Sequence, residues 1–151
     1  MRTFFKQSCL LLVLAASLNV SAQGNRERAQ QKWVDSVFNS LTSDQRIAQL
    51  MVIRAHSNLG TDHIAKVESD IRNYNVGGLC FFQGGPVRQA LLTNQYQSIA
   101  KTPLMITIDG EWGVGMRLDS VDRLPYQLSL GAVNDASLSY RIGLAMGEQC
   151  K

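Results

Sequence analysis

The chain has 151 residues, 15 basic and 12 acidic side chains and 45% hydrophobic residues, an ordinary composition for one folded domain. Two of the basic residues, Arg2 and Lys6, fall within the first 22 residues and no acidic residue does, so the remaining 129 carry 13 basic against 12 acidic groups. That near-neutral balance speaks against a nucleic-acid partner, which would call for a basic face able to neutralise several phosphates.

Arg2 and Lys6 give the start of the chain its charge, Leu10 to Leu18 is an apolar run, and Val20-Ser21-Ala22 offers a small-residue cleavage site. Together these predict a secretory signal peptide over residues 1–22, and an exported product, periplasmic or secreted, over 23–151. The apolar run is shorter than the roughly 18 residues of a membrane span, and no other stretch approaches that length, so no span is expected. Cys9 leaves with the leader, because Lys6-Gln7-Ser8 lacks the apolar residue of a lipidation signal. Cys80 and Cys150 remain and one disulfide is conceivable, although Cys80, inside Gly78-Leu79-Cys80-Phe81-Phe82, reads as a small core residue.

Trp33, Val34, Val37, Phe38 and Leu41 recur at helical spacing and predict a first amphipathic helix. Thr42-Ser43-Asp44-Gln45 has the form of a capping box, so a second short helix is expected to carry Ile47, Leu50 and Met51 inward, with Met51-Val52-Ile53 as its last turn running into a strand. A strand-then-helix unit then repeats. The strand near Ile53 leads to a helix with Ile64, Val67, Ile71 and Tyr74 inward. "GGLCFF" leads to one with Val87, Leu91, Tyr96 and Ile99, and "PLMITID" leads, after a longer loop, to one starting near Asn134-Asp135 with Leu138, Ile142, Ala145 and Met146 on one side. The strands are short and apolar on both faces, as in parallel sheets covered by helices, which predicts an α/β fold.

The strand ends near Ile53, Phe82 and Asp109 are 29 and 27 residues apart. Eight units of that size need roughly 225 residues, close to the approximately 250 of a (β/α)8 barrel. Three fit here, so the expected fold is the first part of a TIM barrel, incomplete and truncated at the C-terminus; a small self-contained α/β module is the alternative.

In "LMITIDGE" side chains alternate, so Met105, Thr107 and Asp109 share a face. Asp109 falls at the carboxyl end of its strand, where parallel α/β folds bind ligands, and an ionised carboxylate there suits a hydroxyl-rich substrate. Asp109 and Glu111 are a poor acid and nucleophile pair. A retaining glycosidase holds two carboxyl groups about 5 to 5.5 Å apart, and catalytic groups of barrels come from several strand ends. Glu111 can equally be loop support, bonded to backbone or to Arg117. The glycines of "GEWGVG" miss the dinucleotide spacing, and no G-x-S-x-G elbow occurs. His56 and His63, seven residues apart, lack the spacing of a helical metal pair and read as solvated or capping. Gln83 of "FQGGP" lies at a strand end and could touch substrate; Gly84-Gly85-Pro86 equally reads as a turn with Pro86 opening the next helix. No metal or cofactor is expected.

"LTSDQRIAQLMVI" (41–53), "VGGLCFF" (76–82), "PLMITIDGEWGVGMRL" (103–118) and "LPYQLSLGAVNDASLSYRIGLAMGEQ" (124–149) together resemble the start of a family 3 glycoside hydrolase. They are most similar to its β-N-acetylhexosaminidase branch, whose third strand reads I-D-x-E-G-G-x-x-x-R-L. Asp109, Glu111, Gly113, Arg117 and Leu118 fit that pattern; Trp112 replaces its first Gly, and Val114 stands where a basic residue is common. The resemblance implies that Asp109 hydrogen-bonds hydroxyls of the nonreducing-end sugar, with Glu111 and Trp112 as further substrate-binding candidates. It also implies a retaining mechanism whose nucleophile and acid/base lie beyond Lys151, so that these 151 residues alone would be inactive. The expected function is the N-terminal segment of an exported retaining β-glycosidase with a carbohydrate substrate, foremost β-N-acetylglucosaminides such as peptidoglycan-derived sugars. The alternatives are a β-glucosidase of the same family and a noncatalytic periplasmic sugar-binding module.

Overall fold

A computed structural model describes residues 24–151; the expected signal peptide, residues 1–22, lies outside them. The chain divides into two compact units, Met1–Thr42 and Ser43–Lys151. In the first unit a helix, α1, runs over residues 24–40. The predicted helix is there, yet Trp33, Val34 and Phe38 of its apolar stripe are exposed, and Leu41 just after it is buried.

The second unit begins with α2 (Ser43–Ala48) and continues through β1 (Val52–Ala55), α3 (Gly60–Tyr74), β2 (Gly78–Phe81), α4 (Pro86–Ile99) and β3 (Met105–Ile108). A 3-10 turn at Val114–Met116 and helices α5 (Gln127–Val133) and α6 (Ala136–Gln149) follow. The three strands form one parallel sheet in the order β1-β2-β3. In register, Arg54 stands opposite Cys80, and Cys80 opposite Thr107.

Alternation along these strands separates two faces. Ala55, Leu79 and Phe81 pack against Val67 and Ile71 of α3 and Leu92 and Tyr96 of α4, with Leu104, Ile53 and Ile106 beside them. The opposite face carries Val52, Arg54, Cys80, Met105 and Thr107, of which Val52, Arg54 and Met105 are exposed. The expectation of strands apolar and covered on both faces is therefore corrected. Helices cover one side, as on the outside of a barrel, and the other side is mixed in polarity. Burial, with the Glu68 charge adding to it, pushes the Tyr96 hydroxyl up to about 12, so it stays protonated inside the core.

The connections are tied by side chains. Asn75 ends α3 in the left-handed conformation (φ 56°), and its amide group exchanges two hydrogen bonds with Thr102, at 3.1 and 3.2 Å. Gln97 does the same for Leu104, at 2.8 and 3.0 Å, fixing the entry to β3. Pro86 opens α4 after an extended Gly85, as expected of a residue whose missing amide costs nothing there.

Several inward-facing assignments are overturned. Ile47, Leu50 and Met51 are exposed at 57%, 83% and 52%. The reason is that α2 has only 6 residues and then turns through bonds from Leu50 to Ile47 and from Met51 to Ala48, so no continuous inner face forms. On α4, Val87 and Leu91 are exposed while Leu92 and Tyr96 are buried. Leu91 and Leu92 are about 100° apart on a helix, and the sheet takes the one in phase with Tyr96 and Ile99. Tyr74, the last residue of α3, is exposed as well. Helix α5 was not foreseen, having no buried residue and no side-chain cap. Helix α6 starts where expected, because the Asp135 carboxylate accepts from the amides of Ser137 and Leu138, and it buries Ile142. Cys80 is half-buried and Cys150 exposed, both as free thiols.

Candidate functional site

The residues one step past the three strands are His56, Phe82 and Asp109. Ala55 and Phe81 face the helices, so alternation puts His56 and Phe82 on the other side with Arg54 and Cys80, and Asp109 on the side of Thr107. Side-chain contacts join all three positions. The His56 ring stacks on Phe82, with centroids 5.7 Å apart and planes at 25°. The Arg117 guanidinium lies 4.6 Å from the Phe82 centroid and that of Arg54 lies 5.7 Å from it, within cation–π range. Arg117 then clasps Asp109 twice. Its Nε donates to the Asp109 carbonyl at 2.9 Å, and its Nη2 pairs with Oδ2 of the carboxylate. The Asp109 side chain is 37% exposed and that of Arg117 16%. Among the described residues Oδ1 has no hydrogen-bond partner, so Asp109 is a fixed, half-open acceptor.

His63 accepts the His56 amide on Nε2 at 3.0 Å, which puts the proton of its neutral ring on Nδ1. Burial, then the neighbouring His63, Arg54 and Arg117 charges, hold His56 below its ordinary value. His63 is lowered by burial, then by Arg54 and Lys66. Both rings are thus held toward the neutral form. His63 caps a backbone amide as expected, but His56 is not solvated: it is only 8% exposed, because its ring is wedged between Phe82 and His63. No cluster of three or more potential metal ligands occurs among the described residues.

The loops after the three strands are locked to one another. Ser57, after β1, donates its amide to Gln83 carbonyl at 3.1 Å and accepts the Gly85 amide on its hydroxyl at 3.0 Å. Arg88, in the first turn of α4, donates to the Ser57 carbonyl at 3.1 Å and to Asp119, beyond β3, at 2.7 Å. That bond holds the exposed Asp119 carboxyl below the usual carboxylate range, with Ser120 adding a smaller push the same way. Gly84 brackets the backbone of Arg117 and Leu118. Its amide donates to the Arg117 carbonyl at 3.2 Å and its carbonyl accepts the Asp119 amide at 2.8 Å. Only glycine fits at 84, since φ is +155° and a Cβ would lie 1.7 Å from the Ser57 hydroxyl. The glycines of "FQGGP" therefore let the neighbouring loop seat Arg117, while Gln83 is exposed and contributes its carbonyl.

The remaining candidates lie in the loop closed by the Arg117–Asp109 clasp. Glu111 is exposed; Arg117 pairs with Asp109 in its place, and the Glu111 carbonyl accepts from Gln127 Nε2 at 2.8 Å. Trp112 is half-buried and meets Tyr126 edge to face, with centroids 4.9 Å apart. Sequence patterning missed His56, Phe82, Arg88 and Tyr126. For the first two a signal existed: counting by twos past the strand ends puts them in line with Arg54 and Cys80.

The family described as Glycosyl hydrolase family 3 N terminal domain matches residues 42–151. The chain belongs to glycoside hydrolase family 3. A comparison with curated proteins found no match. Family 3 membership makes this a glycoside hydrolase chain with an α/β fold of the TIM-barrel type, and its three parallel strands form a sheet that is not closed. The site lies at the carboxyl ends of those strands, where barrels of this type carry their chemistry. A carboxylate held by an arginine, with a free oxygen, can accept from sugar hydroxyls, and a carbohydrate substrate agrees with the family. Among the described residues no helix is long and apolar enough to cross a membrane.

Proposed function

We propose that this family 3 chain supplies the sugar-holding strand ends of an exported, retaining β-glycosidase. It would act at nonreducing ends, with β-N-acetylglucosaminides of the peptidoglycan type as its preferred substrates. The observation that carries this reading is the Asp109 carboxylate at the end of β3, clasped by Arg117 on one oxygen. Held in this way it is an oriented acceptor for hydroxyls of the nonreducing sugar. Glu111 and Trp112 belong to the rim of the same site. Because Asp109 is committed to Arg117 and to binding, the nucleophile and the acid, which need a separation of about 5 to 5.5 Å, are assigned to strand ends other than those of β1, β2 and β3. Export rests on the charged start, apolar run and small-residue site within residues 1–22.

Steady-state kinetics of the full-length enzyme on nitrophenyl glycosides test this proposal. Asp109→Ala is expected to lower kcat/KM at least about 100-fold, from the loss of charged hydrogen bonds worth roughly 1.5 to 3 kcal/mol each, without loss of secondary structure. Asp109→Asn, which keeps the shape, is expected to fall in between. Near-normal turnover of the alanine variant would overturn the binding role. Preference for glucosides over N-acetylglucosaminides would move the enzyme to the β-glucosidases, and no turnover with intact sugar binding would make it a noncatalytic module.

A further inference from the structure

The His56 ring is buried without a hydrogen bond. Both of its nitrogens are shielded from solvent and have no partner among the described residues, and the whole residue is only 8% exposed. An unpartnered imidazole costs more to bury than a phenyl ring in the same space, so packing alone does not account for a histidine here. The ring lies against Phe82, with centroids 5.7 Å apart. Phe82 in turn is the ring on which the Arg117 guanidinium rests, at 4.6 Å, while Arg117 holds Asp109. His56, Phe82, Arg117 and Asp109 thus form one series of contacts from the end of β1 to the end of β3.

The charges that act on His56 have one sign. Burial opposes a proton on its ring, and so do His63 from α3, Arg54 from β1 and Arg117 from the loop beyond β3. Lys66, also on α3, acts on His63 in the same sense. The β2 side brings the Cys80 thiol and the neutral Phe82 ring. The Asp109 carboxylate is engaged by Arg117 and is not among the groups that act on His56. A proton gained here therefore adds a cation beside Arg54 and Arg117 with no carboxylate to answer it. Such coupling is reciprocal: as Arg117 opposes the proton, the proton opposes Arg117 in its place.

We propose that His56 is a positioning residue, whose neutral ring backs Phe82 and leaves Arg117 seated on Asp109, and whose protonation loosens that clasp and weakens sugar binding in acid. The proposal rests on the reading of Asp109 as the sugar-holding carboxylate. His56 is held below its ordinary 6.5, so the weakening is absent above about pH 6.5 and develops as pH falls through the lower folded value. His63 titrates beside it, and its proton would end the bond that its Nε2 accepts from the His56 amide; that effect does not need the His56 side chain.

Calorimetric dissociation constants of the protein for N-acetylglucosamine at about pH 7.5 and about pH 5 test the proposal. The rise in Kd from the higher to the lower pH is expected to be about threefold larger in the wild type than in His56→Phe. That variant keeps a ring against Phe82 and keeps His63, but takes up no proton at 56. A purely structural role would change Kd alike at both pH values, and an equal rise in the two proteins would overturn the proposal. Asp109→Ala separates this from the reading beneath it. If that variant binds the sugar as the wild type does, or neither binds it, the reading of Asp109 fails by itself. The His56 titration midpoint, followed by NMR on its assigned ring resonances, then decides, and it also decides if His56→Phe does not fold. Asp109→Ala frees Arg117 to retreat from a charged His56, so the midpoint is expected to rise; a midpoint that stays or falls would overturn the coupling.

Discussion

On one face of the sheet, Ala55, Leu79 and Phe81 are fully buried against α3 and α4. On the other, Arg54, Cys80 and Thr107 stand side by side in register, and His56, Phe82 and Asp109 follow them past the strand ends. The same three strands build both faces from alternate residues, so neighbours one peptide apart serve different ends. The helix side is close-packed hydrocarbon, where a removed side chain leaves a cavity. On the other side the contacts are polar and aromatic: cation–π contacts on Phe82, a carboxylate paired with Arg117 and two histidines held toward neutrality.

Phe81 and Phe82 put that contrast to its hardest test. Phe81→Ala is expected to cost about 3 to 5 kcal/mol, as for a fully buried Phe, read as a drop in the urea midpoint of the protein. Phe82→Ala is expected to cost less stability and to lower kcat/KM, because Arg117 loses the ring it lies against and Asp109 loses its orientation. Equal losses of stability would break the comparison.

An intermediate effect is expected at the lock between the loops. Gly84→Ala places a methyl group against the Ser57 hydroxyl and is expected to cost about 1 to 3 kcal/mol and to raise KM through the displaced Arg117 backbone. Ser57→Gly removes the clash together with the hydroxyl that accepts the Gly85 amide, so Gly84→Ala should cost less in the Ser57→Gly background than in the wild type. If it costs the same in both, strain at φ +155° and not the contact limits this position.

The smallest effect concerns pH. His56 and His63 are both held below 6.5 in the fold, so below that value the unfolded chain binds more protons than the folded one. Stability is therefore complete above about pH 6.5 and falls as pH drops through the window down to the folded values. Asp119 and Asp135, whose carboxyls are lowered from 3.8, act in a separate window at and below that value. Urea midpoints compared at about pH 7.5 and about 5.5 should differ in the wild type, and His56→Gln should flatten the difference. An unchanged slope would place the burial cost elsewhere than on His56.

Much of this was legible in the amino-acid order. Helix α6 announced itself through Asp135 and its periodic apolar side, β3 through alternation that ends on Asp109, and α4 through Pro86. The failures share a cause. Ile47, Leu50, Met51, Val87 and Leu91 are apolar at helical spacing, but spacing does not say where a short helix stops or which of two adjacent leucines the sheet will take. Helix α5, with no buried residue and no cap, left no signal. The resemblance to family 3, carried by four ordered blocks, agreed with the family match over residues 42–151.

By itself the amino-acid order determined the α/β class, the three parallel strands and the placing of Asp109 at a strand end, because period-two and period-3.6 patterns record which residues share a face. Only the tertiary structure decided that Arg117 clasps Asp109 rather than Glu111, that His56 is buried against Phe82, and that Gly84 seats Arg117. Those contacts join residues 8, 26 and 33 positions apart, and chain spacing does not encode which loops meet once the sheet has brought its strand ends together.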